Sequence, residues 1–323
     1  MNRRAACRAL APALLALLWI ALTPGDLLAW TPGTHIHIGE AVLRSLALLP
    51  AGTAALLRTF PQDFLYGSIA ADTSMAKKYA PAGRHCHSWI VGFEIYERAR
   101  DEALRAFALG YLSHLAADVV AHNFFVPRQL TVTSSTSALG HSYWESRFET
   151  HLGEAAARRA RDVILLDHSR SDAHLDDILS PTIFSTSTNR RLFRGMVHVT
   201  DSESWQRIYR IMAENSRWGL TRPEVETHLV RSFDYVMDLL ERLDRSESYQ
   251  YDPSGDEALR LAKRLRRVSL RRGGDPFVRE EAERHFGLPA TRLRHSQTLE
   301  SPALSCGARR QQLIDELRIG PAL

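Results

Sequence analysis

The sequence predicts an all-α protein, a bundle of many helices. Three observations lead there. Apolar residues recur at helical spacing through most of the chain. No convincing run of alternating apolar and polar residues, the mark of a half-buried strand, interrupts them. Proline and glycine fall between the periodic segments, where helices should end. With 323 residues, 45% of them hydrophobic and 24% charged, the chain can bury a substantial core. A net charge of +4 on 41 basic and 37 acidic residues gives no compositional reason to expect nucleic-acid binding. Three cysteines exclude a disulfide framework.

Taken in order, residues 1–29 read as a secretory signal peptide. Arg3, Arg4 and Arg8 precede an apolar run from Ala9 to Thr23, and Pro24, Gly25 and Asp26 break it before Leu27-Leu28-Ala29. Cleavage after Ala29 would direct the protein to the periplasm or outside the cell and make Trp30 the first residue. It would also lower the net charge to +2 and leave Cys86 and Cys306, which could pair in an oxidising compartment. No later segment approaches ~18 uninterrupted apolar residues.

The next segment, 36–59, carries Ile38, Ala41, Val42, Leu46 and Leu49 at helical spacing, with Pro50 and Gly52 closing a first helix. Residues 92–122 read as one long helix, its apolar face made by Leu104, Phe107, Ala108, Tyr111, Leu112 and Leu115. A Ser/Thr-rich loop, Thr131 to Ser137, precedes a helix from about Ala138 to Ala160, and 204–216 and 222–243 are two further amphipathic segments. This gives a helical domain over 30–245, a polar linker from Ser246 to Gly255 and a charged helical extension over 246–323. Within the extension, Lys263, Arg264, Arg266, Arg267, Arg271 and Arg272 read as a solvated face, with contact to anionic lipid or a partner as the sharper alternative.

Eight of the 14 histidines fall between Trp30 and His151, interleaved with acidic residues. The strongest unit is His114-Leu-Ala-Ala-Asp118-Val-Val-Ala-His122, which places two imidazoles and a carboxylate along one side of an otherwise apolar helix. Buried polar groups need partners, and a cation would satisfy all three. His141-Ser-Tyr-Trp-Glu145 is a second i, i+4 pair, with Glu149 and His151 close behind. Facing helices that each present ligands inward are a recurrent way to build a metal site. Asp72 follows the apolar stretch Leu65 to Ala71, and Arg84-His85-Cys86-His87 offers two more imidazoles. Trp30-Thr-Pro-Gly-Thr-His35-Ile-His37 adds others, together with a free α-amine if cleavage occurs before Trp30. Nitrogen and carboxylate donors of this kind suit zinc, and Cys86 reads better as a small buried residue than as a ligand.

These elements together resemble the zinc-dependent phospholipase C family and, more distantly, the S1/P1-type nucleases. The matched pattern is a Trp with a His five residues on, an Asp about 40 residues later, a His some 15 beyond, a helix with His-x3-Asp-x3-His, and a closing His-x3-Glu. The family's well-known secreted members have five residues between the helix Asp and the next His, against three here. The resemblance implies the family's all-α fold and a trinuclear Zn2+ site. Asp72, His87, His114 and Asp118 would hold one ion, with Asp118 bridging to a second held by the Trp30 amine and carbonyl and His35. His122, His141 and Glu145 would hold the third. His37 stays an alternative to His35, and His85 to His87, the spacing from Asp72 slightly favouring His87. Asp72 and Asp118 are also the candidate catalytic carboxylates.

The activity implied is phosphodiester hydrolysis of glycerophospholipid at a membrane surface, giving diacylglycerol and a phosphorylated headgroup. Trp89, Phe124, Phe125 and Val126 could form a lipid-facing rim, and core packing explains them at least as well. A nuclease on the same metal scaffold, or a helical protein merely stabilised by zinc, are the alternatives.

Overall fold

The computed structural model describes residues 30–74, 84–133, 137–180, 185–200, 207, 211, 214–216 and 218–295. The expected signal peptide, Cys306, most of the segment 204–216 and the end of the extension lie outside them. Among the described residues every regular element is a helix. These are α1 (Pro32–Arg44), α2 (Ala51–Thr59), α3 (Pro61–Ala70), α4 (Trp89–Glu97), α5 (Glu102–Val120), α6 (Val126–Val132), α7 (Ser137–Thr150), α8 (Glu154–Ile164), α9 (Ser169–Asp176), α10 (Thr186–Thr200), α11 (Arg222–Arg242) and α12 (Asp256–Phe286, kinked at Gly274).

Helix α5 is the axis of the fold. Its residues from Ala106 to Val120 are all buried, so it is apolar on every side and must be enclosed by other helices. With α6 it is long and apolar enough to span a bilayer, yet protein covers it here. Helices α3, α4 and α11 pack directly on it, α1 lies across α3 and α8, and α12 runs along α6. The closest crossing is between α3 and α5. A Cβ on Gly67 would stand 2.0 Å from the Phe107 carbonyl oxygen, and one on Gly110 2.0 Å from that of Phe64. The two backbones touch, which fixes the end of α3, and Asp72 just beyond it, against the face of α5 that carries His114.

Several helix limits differ from the sequence reading. The first helix ends at Arg44 rather than near Pro50, a 3-10 turn at Leu46–Leu48 intervening before α2. The segment expected as one helix over 92–122 is two, because the Asp101 side chain accepts the Leu104 N–H at 3.0 Å and caps a new helix. The helix expected over 138–160 breaks at Gly153, whose φ of 82° a helix does not permit. Helix α11 keeps its expected span, anchored by a capping box in which Thr221 and Glu224 satisfy each other's backbone N–H.

Inside this packing, the Nδ1–H of His228 on α11 donates to the Glu224 carbonyl at 2.7 Å, and its ring lies 5.2 Å from that of Phe125. Burial drives its pKa from 6.5 down to about 4; the Glu224 bond and the Glu224 and Glu283 charges oppose this, and Arg128 reinforces it. The unfolded chain therefore takes up a proton near pH 6.5 that the native state refuses until about pH 4, so stability falls as the pH drops through that window. Between pH 7 and pH 5 this linkage is worth about 2 kcal/mol. Urea unfolding at the two pH values should show His228→Asn losing about that much less than the wild type; equal losses would contradict the assignment.

Candidate metal centre

Five side chains from four parts of the chain meet at one buried point. His35 comes from α1, Asp72 from the 3-10 turn after α3, His87 from the stretch before α4, and His114 and Asp118 from α5. All are nearly or fully inaccessible. Asp118 lies between them. Its Oδ1 is 3.2 Å from His35 Nε2, and its Oδ2 is 3.1 Å from both His87 Nε2 and His114 Nε2. Asp72 Oδ1 stands 3.4 Å from His87 Nε2 and 4.0 Å from His114 Nε2. The rings of His35 and His114 stack at 3.9 Å.

A second group adjoins the first. His122, His141 and Glu145 bring ligand atoms within 4.8 Å of one another. Glu145 Oε1 is 2.7 Å from His141 Nε2 and 3.6 Å from His122 Nε2. His122 lies in a π-helical turn, Ala121–Phe125, between α5 and α6. Four residues advance a side chain by about 40° around a helix, and the wider turn begins just here. His122 therefore faces α7, whereas His114 and Asp118 face α3. One sequence stripe thus serves two clusters.

The tautomers show what is missing between these groups. His114 Nδ1 is 2.9 Å from the Ser68 carbonyl, and His122 Nδ1 is 2.7 Å from that of Pro253. A carbonyl only accepts, so each Nδ1 carries a proton, and in the neutral ring each Nε2 is a lone pair. His114 Nε2 then points at the Asp118 carboxylate and, at 3.1 Å, at the Nε2 of His87. Lone pairs and carboxylate oxygens at such distances repel unless a proton or a cation lies among them. Consistent with that, His35 Nε2, both Asp118 oxygens, His122 Nε2 and Glu145 Oε2 are buried without a hydrogen bond of proper geometry. The donor set, all imidazole nitrogen and carboxylate oxygen, fits zinc.

Burial, and then His114, lower the His35 pKa to about 4, keeping it neutral and able to donate a lone pair. Burial works to raise Asp118, and positive charge at His114 and His122 outweighs it and holds the carboxyl well below its ordinary value, a charge that cations would supply where these rings stay neutral. Glu145 is raised well above the usual range by burial.

Of the alternative pairs, His35 and His87 reach the carboxylates. His37 joins no such group among the described residues. The half-buried His85 turns back, its Nδ1 accepting the backbone N–H of His87 at 3.1 Å, which braces the neighbouring ring. The wholly buried Trp30 indole donates to the Ala117 carbonyl at 3.0 Å and packs on Phe125 and Phe148, so residue 30 is anchored one position from Asp118. Thr31 gives α1 no side-chain cap. The Glu149 carboxylate takes that place, receiving bonds from the Thr31 hydroxyl and the Gly33 and Thr34 N–H groups, while burial raises its pKa. A Cβ on Gly33 would lie 2.4 Å from that carboxylate. Cys86 is buried, and Tyr111 donates to its carbonyl at 2.6 Å.

Residues 34–182 match the family model described as zinc dependent phospholipase C. This segment belongs to the zinc-dependent phospholipase C family. Every histidine and carboxylate of the two clusters falls inside the match, and Trp30 stands four residues before it. Neither a curated protein nor a solved structure matches the chain. The phospholipase C-family segment carries every side chain of the two clusters, but not everything that holds them. Pro253, which fixes His122, lies far outside it, in a stretch whose composition reads as a linker. A carbonyl contact leaves no residue-type signal, so the sequence could not reveal it.

Of the two readings of Trp89, Phe124, Phe125 and Val126, lipid-facing rim or core, burial decides for the core. Phe125 and Val126 are fully buried, and Trp89 and Phe124 are each 8% exposed. Phe125 packs between Trp30, Phe148 and His228, which makes it core. The exposed apolar side chains next to these residues are Ile90, at 69%, and Tyr249, at 39%, the latter against Trp89 and Phe93.

Proposed function

We propose that the protein is a secreted or periplasmic zinc-dependent phospholipase C that hydrolyses glycerophospholipids to diacylglycerol and a phosphorylated headgroup. The observation that carries this reading is Asp118. Its two oxygens face different imidazoles, His35 on one side and His87 with His114 on the other, so one carboxylate serves two cation positions. His122, His141 and Glu145 provide a third beside them. Eight imidazole and carboxylate side chains exceed what one structural zinc needs, roughly four. Zinc in such positions supplies Lewis-acid polarisation of phosphoryl oxygens and acidification of water, the chemistry of phosphodiester hydrolysis.

The chain's own residues contribute the rest. Asp72 and Asp118 supply buried negative charge that neutralises the cations and orients His87 and His114. Ser68 and Pro253 fix the ring tautomers. The apolar walls of α5 keep bulk water from competing, which strengthens each electrostatic contact. Ile90 and Tyr249 give an apolar approach suited to acyl chains. Cleavage after Ala29 would free the Trp30 amine, an added nitrogen donor.

The purified mature protein should begin at Trp30 and carry about three zinc ions per chain by elemental analysis. Phosphatidylcholine vesicles and single-stranded DNA, assayed in parallel, should yield diacylglycerol from the first and no cleavage of the second, with chelation abolishing turnover. Cleavage of DNA alone would replace the lipid reading with the nuclease one. Zinc without either activity would make the ions structural.

A further inference from the structure

Three successive carbonyls of the segment after α11 accept bonds at and around the metal cluster. The Trp89 indole donates to the Tyr251 carbonyl at 2.8 Å, the Asn123 side chain to that of Asp252 at 2.8 Å, and His122 Nδ1 to that of Pro253 at 2.7 Å. The three donors come from α4 and from the π-helical turn, so one short loop gathers both walls of the site. The Phe124 ring also meets that of Tyr251 at 5.4 Å.

The loop is built to hold this shape. The Asp252 carboxylate accepts from the Ser254 N–H at 3.1 Å and its hydroxyl at 2.5 Å, and the Gly255 N–H closes the turn on the Asp252 carbonyl at 3.1 Å. Pro253 is buried with its φ fixed by the ring. Gly255 adopts a φ of +60°, and a Cβ there would lie 2.4 Å from both the Cβ and the carbonyl oxygen of His122. Only glycine lets the loop come this close.

We propose that residues 251–255 are the outer clamp of the metal centre, with the Pro253 carbonyl holding His122 so that its Nε2 faces His141 and Glu145. The inference rests on the zinc-centre reading above and adds to it that the family segment 34–182 does not complete this site alone. Pro253 and Gly255 are positioning residues, acting on the metal through His122. Carbonyls behind ligating histidines set the tautomer and ring orientation, and losing such a partner typically costs about 10–100-fold in metal affinity.

The test is zinc affinity by chelator competition, together with the visible spectrum of the Co2+-substituted full-length protein. Gly255→Ala should weaken one zinc position by about 10–100-fold and alter the Co2+ bands, with helical circular dichroism retained. Asn123→Ala, which removes the hook to Asp252 together with a bond to the Val119 carbonyl, should give a smaller change of the same kind, and decides the matter if Gly255→Ala does not fold. Lowered melting temperature in both variants with wild-type zinc affinity and Co2+ spectrum would make the loop merely structural and overturn the clamp alone. A wild type that binds no zinc would overturn the clamp and the centre beneath it.

Discussion

Asp118→Asn is expected to lower hydrolysis about a thousandfold or more and to strip zinc from the two positions that share this side chain. The substitution preserves shape and removes the charge. A carboxylate that faces His35 with one oxygen and His87 and His114 with the other neutralises cations on both sides at once. An amide offers one weak acceptor and a donor. Losing about 4 kcal/mol of charge stabilisation in the transition state corresponds to the thousandfold drop. The same change should have the opposite sign in metal-free protein. There the buried carboxylate confronts the neutral His114 ring at its Nε2 lone pair, whereas an Asn amide can donate to it. Zinc-free Asp118→Asn should thus be at least as stable to urea as zinc-free wild type, while zinc-loaded wild type exceeds the variant through metal linkage. Unchanged turnover and full zinc content in the variant would show that Asp118 is no ligand. A metal-free variant far less stable than metal-free wild type would refute the proposed lone-pair arrangement.

That Asp118 could be singled out in advance reflects how ligand helices are written. His114, Asp118 and His122 recur every four residues in a stretch with few other polar groups, and a polar stripe in an apolar helix is visible without coordinates. His141 and Glu145 are legible for the same reason. The side of the helix each residue faces was not. The π-helical turn at Ala121–Phe125 separates His122 from the other two, and no residue type announces it. The Asp101 cap that divides 92–122 has the composition of a helix start, but apolar periodicity on both sides masks it. The choice of His87 over His85 depends on His85 folding back onto a backbone N–H. The clamp at Pro253 depends on carbonyls, which every residue carries. Side-chain chemistry was legible because it is encoded by residue type. Backbone chemistry was not.

Gly67→Ala is expected to be the most damaging conservative change in the core, although alanine is the better helix former. Gly67 and Gly110 face each other where α3 crosses α5, each virtual Cβ 3.0 Å from the partner's Cα and 2.0 Å from a backbone carbonyl oxygen. Backbone cannot rotate aside as a side chain can. The helices would have to part by roughly 1.5 Å to restore van der Waals distance, loosening Phe64, Phe107 and the buried residues around them. Overpacking of this kind costs about 1–3 kcal/mol and occasionally more, against a propensity gain of about 1 kcal/mol. Because the obstruction is main chain on both sides, the net loss should fall near the top, about 3 kcal/mol. Gly52→Ala is the control, since nothing lies within 4 Å of a Cβ there and it should unfold at or slightly above the wild-type urea midpoint. The crossing also sets the metal centre. Ser68, next to Gly67, presents the carbonyl that orients His114, and α3 leads directly to Asp72. Gly67→Ala should therefore lose zinc affinity as well as stability, because both depend on the same backbone contact. A variant that unfolds at the wild-type midpoint would mean that α3 and α5 do not approach this closely. One that is destabilised but binds zinc as tightly as wild type would mean that the crossing does not set the ligand geometry.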